Sequence, residues 1–290
     1  MIQAVISNGL IVSRYLIMAT TQPPSKNRLR TNSKSRTHAL AQHFGYDGLI
    51  NSNNELSLTK RYLNSQQLQY QYEQSNIETI FKLTYDECNN ETTTEPDPDW
   101  LVRFIKMAKQ VYSSSMQRLW AQILKQELTH PGTTSLRALT ILISMTHKEA
   151  LLFQRIMSVS CQINNNKDRK IITSIKTTKK VIYFWTKNNS YPIEYHQYAL
   201  PYSSIIILMD LGLILKTEFE SSKINPRQNI QLYFQSISYT LNSYNKNTSF
   251  TYYRISPIGQ ELASLIDYNS NNKYQDYLLN TLASVFTITT

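Results

Sequence analysis

The sequence predicts an α+β protein in which a helical core, made of a long polar helix and about four short helices, precedes a smaller α+β part. Apolar residues recur at helical spacing through residues 97–159, with clear start and stop signals between the segments. After residue 163, strand-like segments rich in Ile, Thr, Tyr and Phe replace that pattern. The longest apolar run, Ile205 to Leu215, is interrupted by Asp210 and is too short to span a bilayer.

The N-terminal region, residues 1–45, is predicted to be a disordered basic tail. Its polar, turn-prone stretch cannot bury enough apolar surface to order itself. The first 18 residues are apolar, but they lack the basic start and the small-residue cleavage site of a signal peptide. Translation starts at Met1 or at Met18, and in the second case residues 1–17 are an extension.

Residues 46–96 are predicted to form a long polar helix, about Glu55 to Glu87, followed by an acidic linker. One heptad position is apolar throughout, at Leu56, Leu63, Tyr70 and Ile77. A coiled coil needs two apolar positions per heptad, and here the second is occupied by Lys60, Gln67, Gln74 and Phe81. The narrow stripe is therefore predicted to pack on the body of the protein.

The first two short helices of a core domain, residues 97–165, are marked by polar caps. Asp99 is predicted to cap the first, because its carboxylate can accept from free backbone amides. Ser114 and Gln117 have the spacing of a capping box for the second. The sequence His130-Pro131-Gly132 predicts the end of that helix.

Two further helices complete the predicted core. Thr134 or Ser135 is in position to cap the third, and both alternatives remain open at the level of sequence. Thr146 and Glu149 form a second capping-box pattern at the start of the fourth. Short connections between four such helices indicate a compact helical unit.

Residues 166–290 are predicted to contain strands interspersed with helices. A hairpin over Lys170–Thr186 is predicted to turn at Thr177–Thr178, and a short helix over Pro201–Leu211 to end at Gly212. Further strands are predicted at Leu213–Phe219, Ile230–Leu241 (with a bulge near Gln235 where its apolar phase changes) and Phe250–Ile255. Helices are predicted from Pro257 and over Lys273–Phe286.

Several motifs resemble a family of conserved hypothetical proteins from gamma-proteobacteria, whose function is unknown. The resemblance covers about residues 40–155 and implies no reaction. The family pattern has an Asn before its Met-Gln pair, where this chain has Ser113–Ser115. The matching residues include Trp100, Arg103, Trp120, Arg137 and Glu149, within the motifs Asp97–Trp100, Met116–Leu124, Pro131–Leu139 and Glu149–Phe153.

The C-terminal part resembles, more weakly, the end of a winged-helix module. The resemblance rests on Leu208–Ile214, two strands and Tyr253–Leu262. The segment in the place of a recognition helix, Pro201–Leu211, has no Arg, Lys, Asn or Gln to read a base edge. This departure favours a packing or protein-binding role for that segment.

The net charge of +10 is unevenly distributed. Residues 1–46 have six basic and no acidic residues, residues 47–99 have ten acidic against three basic, and residues 167–187 form a second basic segment. Basic patches attract nucleic acid or an anionic membrane; alternatively, they are a disordered tail and a solvated hairpin. The candidate nucleic-acid contacts are Lys176, Lys179, Lys180, Arg28, Arg30, Lys34 and Arg36.

No catalytic or metal-binding constellation is visible in the sequence. The two cysteines, Cys88 and Cys161, have no ligand spacing, and the five histidines are scattered. Gly-rich phosphate loops, GxSxG and CxxC are missing. Arg103 and Arg137 are interpreted as ion-pair residues, with Asp99 as partner for the first and Glu127 or Glu149 for the second. The alternative for Arg137 is that it binds an external phosphate.

The sequence therefore predicts a non-enzymatic cytoplasmic protein that needs no cofactor. Its predicted role is protein interaction or scaffolding, through a protein partner or self-association. The alternative is a nucleic-acid-associated protein that uses the basic tail and the 167–187 hairpin.

Overall fold

The computed structural model describes residues 32–51, 56–89, 91–182, 185–226, 228–235, 237–245, 247–266 and 268–289, without the side chains of residues 179–187. Within this part, an α+β fold is confirmed. The chain forms two compact units, one ending at Leu139 and the other beginning at Thr140. The four-part division by composition stays a prediction.

The first unit is helical. It contains α1 (Ser33–His43), a 3-10 turn (Asp47–Leu49), α2 (Leu58–Glu87), α3 (Pro98–Ala108), α4 (Ser114–Thr129) and the start of α5 (Leu136–Ser144). The predicted disorder is wrong for Ser33–His43, where the Asn32 side chain accepts from the backbone amide of Lys34 and starts a helix. The rest of the predicted tail up to residue 31 lies outside the described residues.

The core of this unit is built on aromatic rings. Trp100 stacks on Phe104 with ring centroids 5.0 Å apart, and Phe104 lies 5.1 Å from Trp120. Both Phe104 and Trp120 are completely buried. The apolar spacing in the sequence placed these side chains on the inner faces of α3 and α4, as the structure confirms.

Two of the predicted helix caps are displaced by one or two residues. The cap of α3 is Asp97, whose Oδ1 accepts from the Trp100 amide at 2.8 Å, while Pro98 occupies the first turn. Proline suits that position because it has no amide hydrogen to satisfy. The cap of α4 is Ser113, so the Ser114–Gln117 capping box is wrong.

The other predicted caps are confirmed. The Ser135 hydroxyl accepts from the Ala138 amide at 3.2 Å, which selects Ser135 over Thr134. Thr146 and Glu149 form the complete capping box of α6 (His147–Val159). Gly212, with φ of 75°, follows α7 (Tyr202–Asp210), in the left-handed conformation that glycine tolerates best.

The second unit is built on an antiparallel sheet of eight strands within the described residues. They are β1 (Cys161–Ile163), β2 (Asn166–Ile182), β3 (Trp185–Pro192), β4 (Phe219–Glu220), β5 (Asn229–Phe234), β6 (Ile237–Ser243), β7 (Thr248–Arg254) and β8 (Phe286–Thr289). The order is β4-β7-β2-β1-β5-β6-β8, and β3 pairs with β2. The unit also contains a 3-10 turn (His196–Tyr198), α8 (Pro257–Leu265) and α9 (Asn272–Ala283).

Three strand predictions are corrected. The hairpin does not turn at Thr177–Thr178, which lie inside β2 opposite Asn189 and Asn188, because the strands continue to the Ile182–Trp185 pair. The phase change near Gln235 separates β5 from β6, which pair from Asn229–Asn242 to Phe234–Ile237. It therefore marks a hairpin, not a bulge. The strand predicted at Leu213–Phe219 is reduced to β4 and one isolated bridge.

The end of the chain also differs from the expectation. The last helix stops at Ala283 and is followed by β8, which pairs with β6. In the segment compared with a winged helix, β4 pairs with β7 while β5 and β6 form their own hairpin. The winged-helix likeness of this part stays a prediction.

Candidate functional site

The most distinctive exposed feature of the first unit is a row of large side chains along α2. Leu63 is 58% exposed, Tyr70 64%, Phe81 44% and Tyr85 81%. Large apolar side chains are common singly on protein surfaces, but aligned groups mark interaction sites. We call the row formed by Leu63, Gln67, Tyr70, Gln74, Glu78, Phe81 and Tyr85 the α2 stripe.

The geometry of a helix aligns these residues. At about 100° per residue, Leu63, Tyr70, Gln74, Phe81 and Tyr85 fall within an arc of roughly 60°. From Leu63 to Tyr85 they extend for about 33 Å along the helix axis. The intervals of seven and four residues repeat every eleven, a period of about 3.67 residues per turn that keeps a row nearly straight.

The surface along the stripe includes a shallow, open groove of about 700 Å³. Its lining combines apolar and amide side chains with one acidic group: Leu63, Gln66, Gln67, Tyr70, Gln71, Gln74, Ser75 and Glu78. The Gln74 amide nitrogen donates to Glu78 Oε1 at 2.6 Å. Such a face suits another helix better than a small molecule, because it is long, shallow and only weakly charged.

The buried side of α2 is fixed to the core by a polar network. Asn76 Nδ2 donates to the Lys109 carbonyl at 2.9 Å, and Gln117 Nε2 donates to Asn76 Oδ1 at 3.1 Å and to the Val111 carbonyl at 3.0 Å. These bonds tie the α3–α4 connection to the middle of α2. They explain the Gln of the Met-Gln motif as a structural residue.

Further contacts fix the C-terminal half of α2. The Thr84 hydroxyl donates to the Ile80 carbonyl at 2.9 Å and lies within 3.3 Å of the Ala121 carbonyl. Lys125 Nζ donates to the Glu87 carbonyl at 2.6 Å. Partial burial raises the pKa of the Glu87 carboxyl group. The buried side of α2 lies roughly 110° around the helix from the stripe, so the core holds the stripe outward.

The sequence-based account of this helix needs a correction. The apolar heptad row of Leu56, Leu63, Tyr70 and Ile77 was predicted to pack on the body of the protein. Ile77 does so, but Leu56, Leu63 and Tyr70 are exposed. Sequence reasoning missed Phe81 and Tyr85 as members of one exposed row. The signal was present in the eleven-residue spacing, which a search for heptads does not detect.

The motif residues Trp100 and Trp120 are structural. The Trp100 indole donates to the Thr134 carbonyl at 2.8 Å, and Trp120 fills the core. Glu127, which is 2% exposed, accepts from the Gly132 amide at 2.6 Å, the Thr133 hydroxyl at 3.4 Å and the Thr134 amide at 3.5 Å. One carboxylate thus organises the turn that receives the Trp100 indole.

The structure does not bring the remaining motif residues into one site. Arg103 and Arg137 are exposed, and no ion pair of either residue occurs among the described contacts. Glu127 instead binds the turn at Gly132, and the carboxylate of Glu149 belongs to its capping box. Hydrogen bonds from Thr146 lower the pKa of Glu149. The ion-pair interpretation of the two arginines is therefore wrong.

The basic residues suggested as nucleic-acid contacts are scattered. Lys34 and Arg36 are exposed on α1, and Lys176 on β2 pairs with Glu220 at 3.0 Å. Lys179 and Lys180 are placed by backbone register opposite Lys187 and Thr186. Arg28 and Arg30 lie outside the described residues.

Part of the second basic segment faces inward. Lys170 is 4% exposed, burial lowers the pKa of its amine, and its Nζ donates to the Asp168 carbonyl at 2.9 Å. The Arg169 guanidinium lies 5.0 Å from the centre of the Tyr268 ring. Arg254 pairs with Asp168. Lys170 is thus buried, Arg169 is stacked and Arg254 is paired, which reduces the basic surface available to a phosphate.

The described residues offer no cluster of His, Cys, Asp and Glu that could hold a metal. Cys88 and Cys161 are both free. Burial raises the pKa of the Cys161 thiol to about 12, so this side chain behaves as an apolar core residue rather than as a nucleophile.

Comparison with protein families defines the class of this chain. Residues 60–279 match the family described as "Protein of unknown function (DUF2806)". The chain therefore belongs to this family, and the match extends well beyond residue 155, where the motif resemblance became weak. No curated protein and no solved structure matches the chain. Within the described residues, no helix has both the length and the apolar character to cross a membrane.

Proposed function

We propose that this chain is a non-enzymatic protein-interaction protein that docks a partner helix on the α2 stripe. The observation that supports it is the alignment of four large, exposed side chains on a helix whose buried side is anchored in the core. Burying aligned apolar surface against a helix is a common mode of protein recognition. The cap and core contacts keep this face ordered before binding, so little conformational entropy is lost when a partner binds.

Replacing the exposed apolar residues of the stripe is expected to abolish docking without unfolding the protein. The variant carries Leu63→Ser, Tyr70→Ser, Phe81→Ser and Tyr85→Ser. Exposed substitutions change the free energy of unfolding by about 0.5 kcal/mol or less each. A photo-crosslinking amino acid at Gln67 in native cells should give an adduct that the stripe variant reduces at least ~10-fold, about 1.4 kcal/mol.

The matched control replaces two exposed apolar residues away from the stripe, Tyr62→Ser and Val102→Ser. It should leave the adduct unchanged. Equal adduct yields from the stripe variant and the parent protein, or no adduct at all, would contradict the proposed function.

We further propose that the protein works in the bacterial cytoplasm, in gamma-proteobacteria as the motif resemblance implies. Two free cysteines suit a reducing compartment. Fractionation of the native host tests this: recovery of the protein in the periplasm or the membrane fraction would contradict it.

Nucleic-acid binding is a second candidate function, favoured by the shape of the β2–β3 hairpin. The pairing of β2 with β7 ends at Thr177–Thr248, and beyond Lys179 the described part of β2 pairs with β3 alone. This leaves a two-stranded ribbon, an element that can enter a DNA groove. The Lys176–Glu220 pair weakens the case.

If the ribbon binds DNA, the triple variant Lys176→Ala, Lys179→Ala and Lys180→Ala should lower the affinity and the salt dependence. Each lost phosphate contact lowers the slope of log K against log salt by about 1. The control variant Lys82→Ala, Lys106→Ala and Lys148→Ala removes the same charge elsewhere. Fluorescence anisotropy with duplex DNA at two salt concentrations measures the affinity and its salt dependence. If the triple variant has the same slope as the parent protein and the control variant, the ribbon is not the DNA contact.

A further inference from the structure

We propose that the α2 stripe docks a second copy of this chain, antiparallel, with the two-fold axis passing beside Gln74. This inference rests on the proposed function of the stripe and names its partner. Most soluble oligomers are symmetric, and a two-fold interface uses the same patch on both copies. The stripe must then be complementary to itself, and three properties of its residues meet that requirement.

The first property is the symmetry of the stripe about Gln74. Its members lie four, seven and eleven residues away on either side. In an antiparallel pair, residues equally distant from the axis face each other. Leu63 then meets Tyr85 of the second copy, Gln67 meets Phe81 and Tyr70 meets Glu78.

The second property is the hydrogen-bonding capacity at the axis. Gln74 meets Gln74 of the second copy, and an amide side chain both donates and accepts. One amide hydrogen of Gln74 is directed to Glu78 Oε1 at 2.6 Å. The carbonyl oxygen and the second amide hydrogen can therefore serve the partner, so two identical side chains can satisfy each other.

The third property is charge. Antiparallel pairing brings the Glu78 carboxylate to the Tyr70 hydroxyl, which can donate to it, and sets the two helix dipoles in opposite directions. A parallel pair would instead place Glu78 against Glu78 and Lys60 against Lys60. Like charges in such positions destabilise an interface. The charge pattern therefore selects the antiparallel arrangement.

The single apolar position per heptad argued against a coiled coil, but the eleven-residue spacing allows another kind of helix pairing. A zipper needs two apolar positions per heptad to follow a left-handed supercoil, whereas an eleven-residue period keeps nearly straight helices in contact. Each copy contributes a single row over about 33 Å. We therefore expect a weak dimer with Kd on the order of 10 µM, as for interfaces below the standard size.

Cysteine cross-linking tests the arrangement in the full chain carrying Cys88→Ser, with Cys161 left buried. Gln74→Cys should form a disulfide-linked dimer at least ~10-fold faster than the off-stripe control Gln69→Cys, because only the axis position meets itself. Leu63→Cys alone should not cross-link, since its two copies would lie about 33 Å apart. A mixture of Leu63→Cys and Tyr85→Cys proteins should cross-link.

Sedimentation velocity between about 1 and 200 µM, a range that brackets the expected Kd, provides an independent readout. Tyr70→Glu places a carboxylate opposite Glu78 and should raise Kd at least ~10-fold. Adding Glu78→Lys to that variant should restore association, which general damage to the fold would not allow.

The outcomes separate the dimer from the proposed function. Cross-linking of Leu63→Cys alone, or a monomer across the whole concentration range, overturns the antiparallel dimer. If the photo-crosslinker at Gln67 then captures a chain of another mass in a stripe-dependent way, the interaction function stands with a different partner. Without any adduct, both proposals are wrong.

Discussion

Replacing Trp120 with alanine is expected to lower the free energy of unfolding of the first unit by about 3–5 kcal/mol, the usual cost of deleting a large buried ring. The side chain is fully buried and contacts the ring of Phe104, which itself stacks on Trp100. The cavity would therefore open in the middle of the aromatic core. Hydrogen exchange of the α3 and α4 amides measures the effect within this unit, because separate units can unfold separately.

Trp120→Phe provides the matched control. Within the described residues, Trp120 Nε1 is buried without a hydrogen-bond partner, so phenylalanine removes an unsatisfied donor along with part of the ring. We expect less than half of the alanine effect. Val102→Ala, at an exposed position of α3, should change little. A loss of about 1 kcal/mol or less in Trp120→Ala, the average for point substitutions, would contradict the placement of this residue in the core.

Glu127→Ala is expected to lower the free energy of unfolding by about 1–3 kcal/mol, because it leaves the buried amide of Thr134 without an acceptor. The carboxylate receives the Gly132 amide at 2.6 Å and the Thr134 amide at 3.5 Å, and the carbonyl of Thr134 binds the Trp100 indole. Loss of the carboxylate should therefore make the turn at Pro131-Gly132 more mobile and loosen Trp100 at the same time. Limited proteolysis at this turn and Trp fluorescence measure the two effects.

Two variants make this result specific. Glu127→Gln keeps one acceptor oxygen and should lose less than Glu127→Ala. Glu95→Ala removes an exposed carboxylate and should be neutral within about 0.5 kcal/mol. If Glu127→Ala and Glu95→Ala behave alike, the carboxylate does not organise the turn.

Local rules in the sequence predicted most of the helical unit. The apolar spacing of α3 and α4 placed Trp100, Phe104 and Trp120 inward, and the capping box of Thr146 and Glu149 formed as expected. The errors at Asp99 and Ser114 arise because several adjacent residues can cap a helix. The choice of Asp97 depends on Pro98, whose fixed φ suits the first turn.

The strands were less predictable, because their pairing depends on partners distant in the chain. The change in apolar phase near Gln235 fits a bulge or a turn equally well. The antiparallel pairing of β5 with β6 shows that it is a turn. A turn was predicted at Thr177–Thr178, but both residues are β-branched, which suits a strand, and they face Asn189 and Asn188 within a continuing ladder. Strand propensity is set largely by such neighbours.

For the candidate site, the sequence by itself determined that α2 carries a narrow apolar row, since helix geometry fixes which residues share a face. Only the tertiary structure decided which part of that row is covered. The network from Asn76 to Gln117 anchors the buried side of the helix, so Ile77 is buried while Leu63 and Tyr70 of the same row remain outside. Burial depends on which elements pack together, and helical spacing carries no information about that choice.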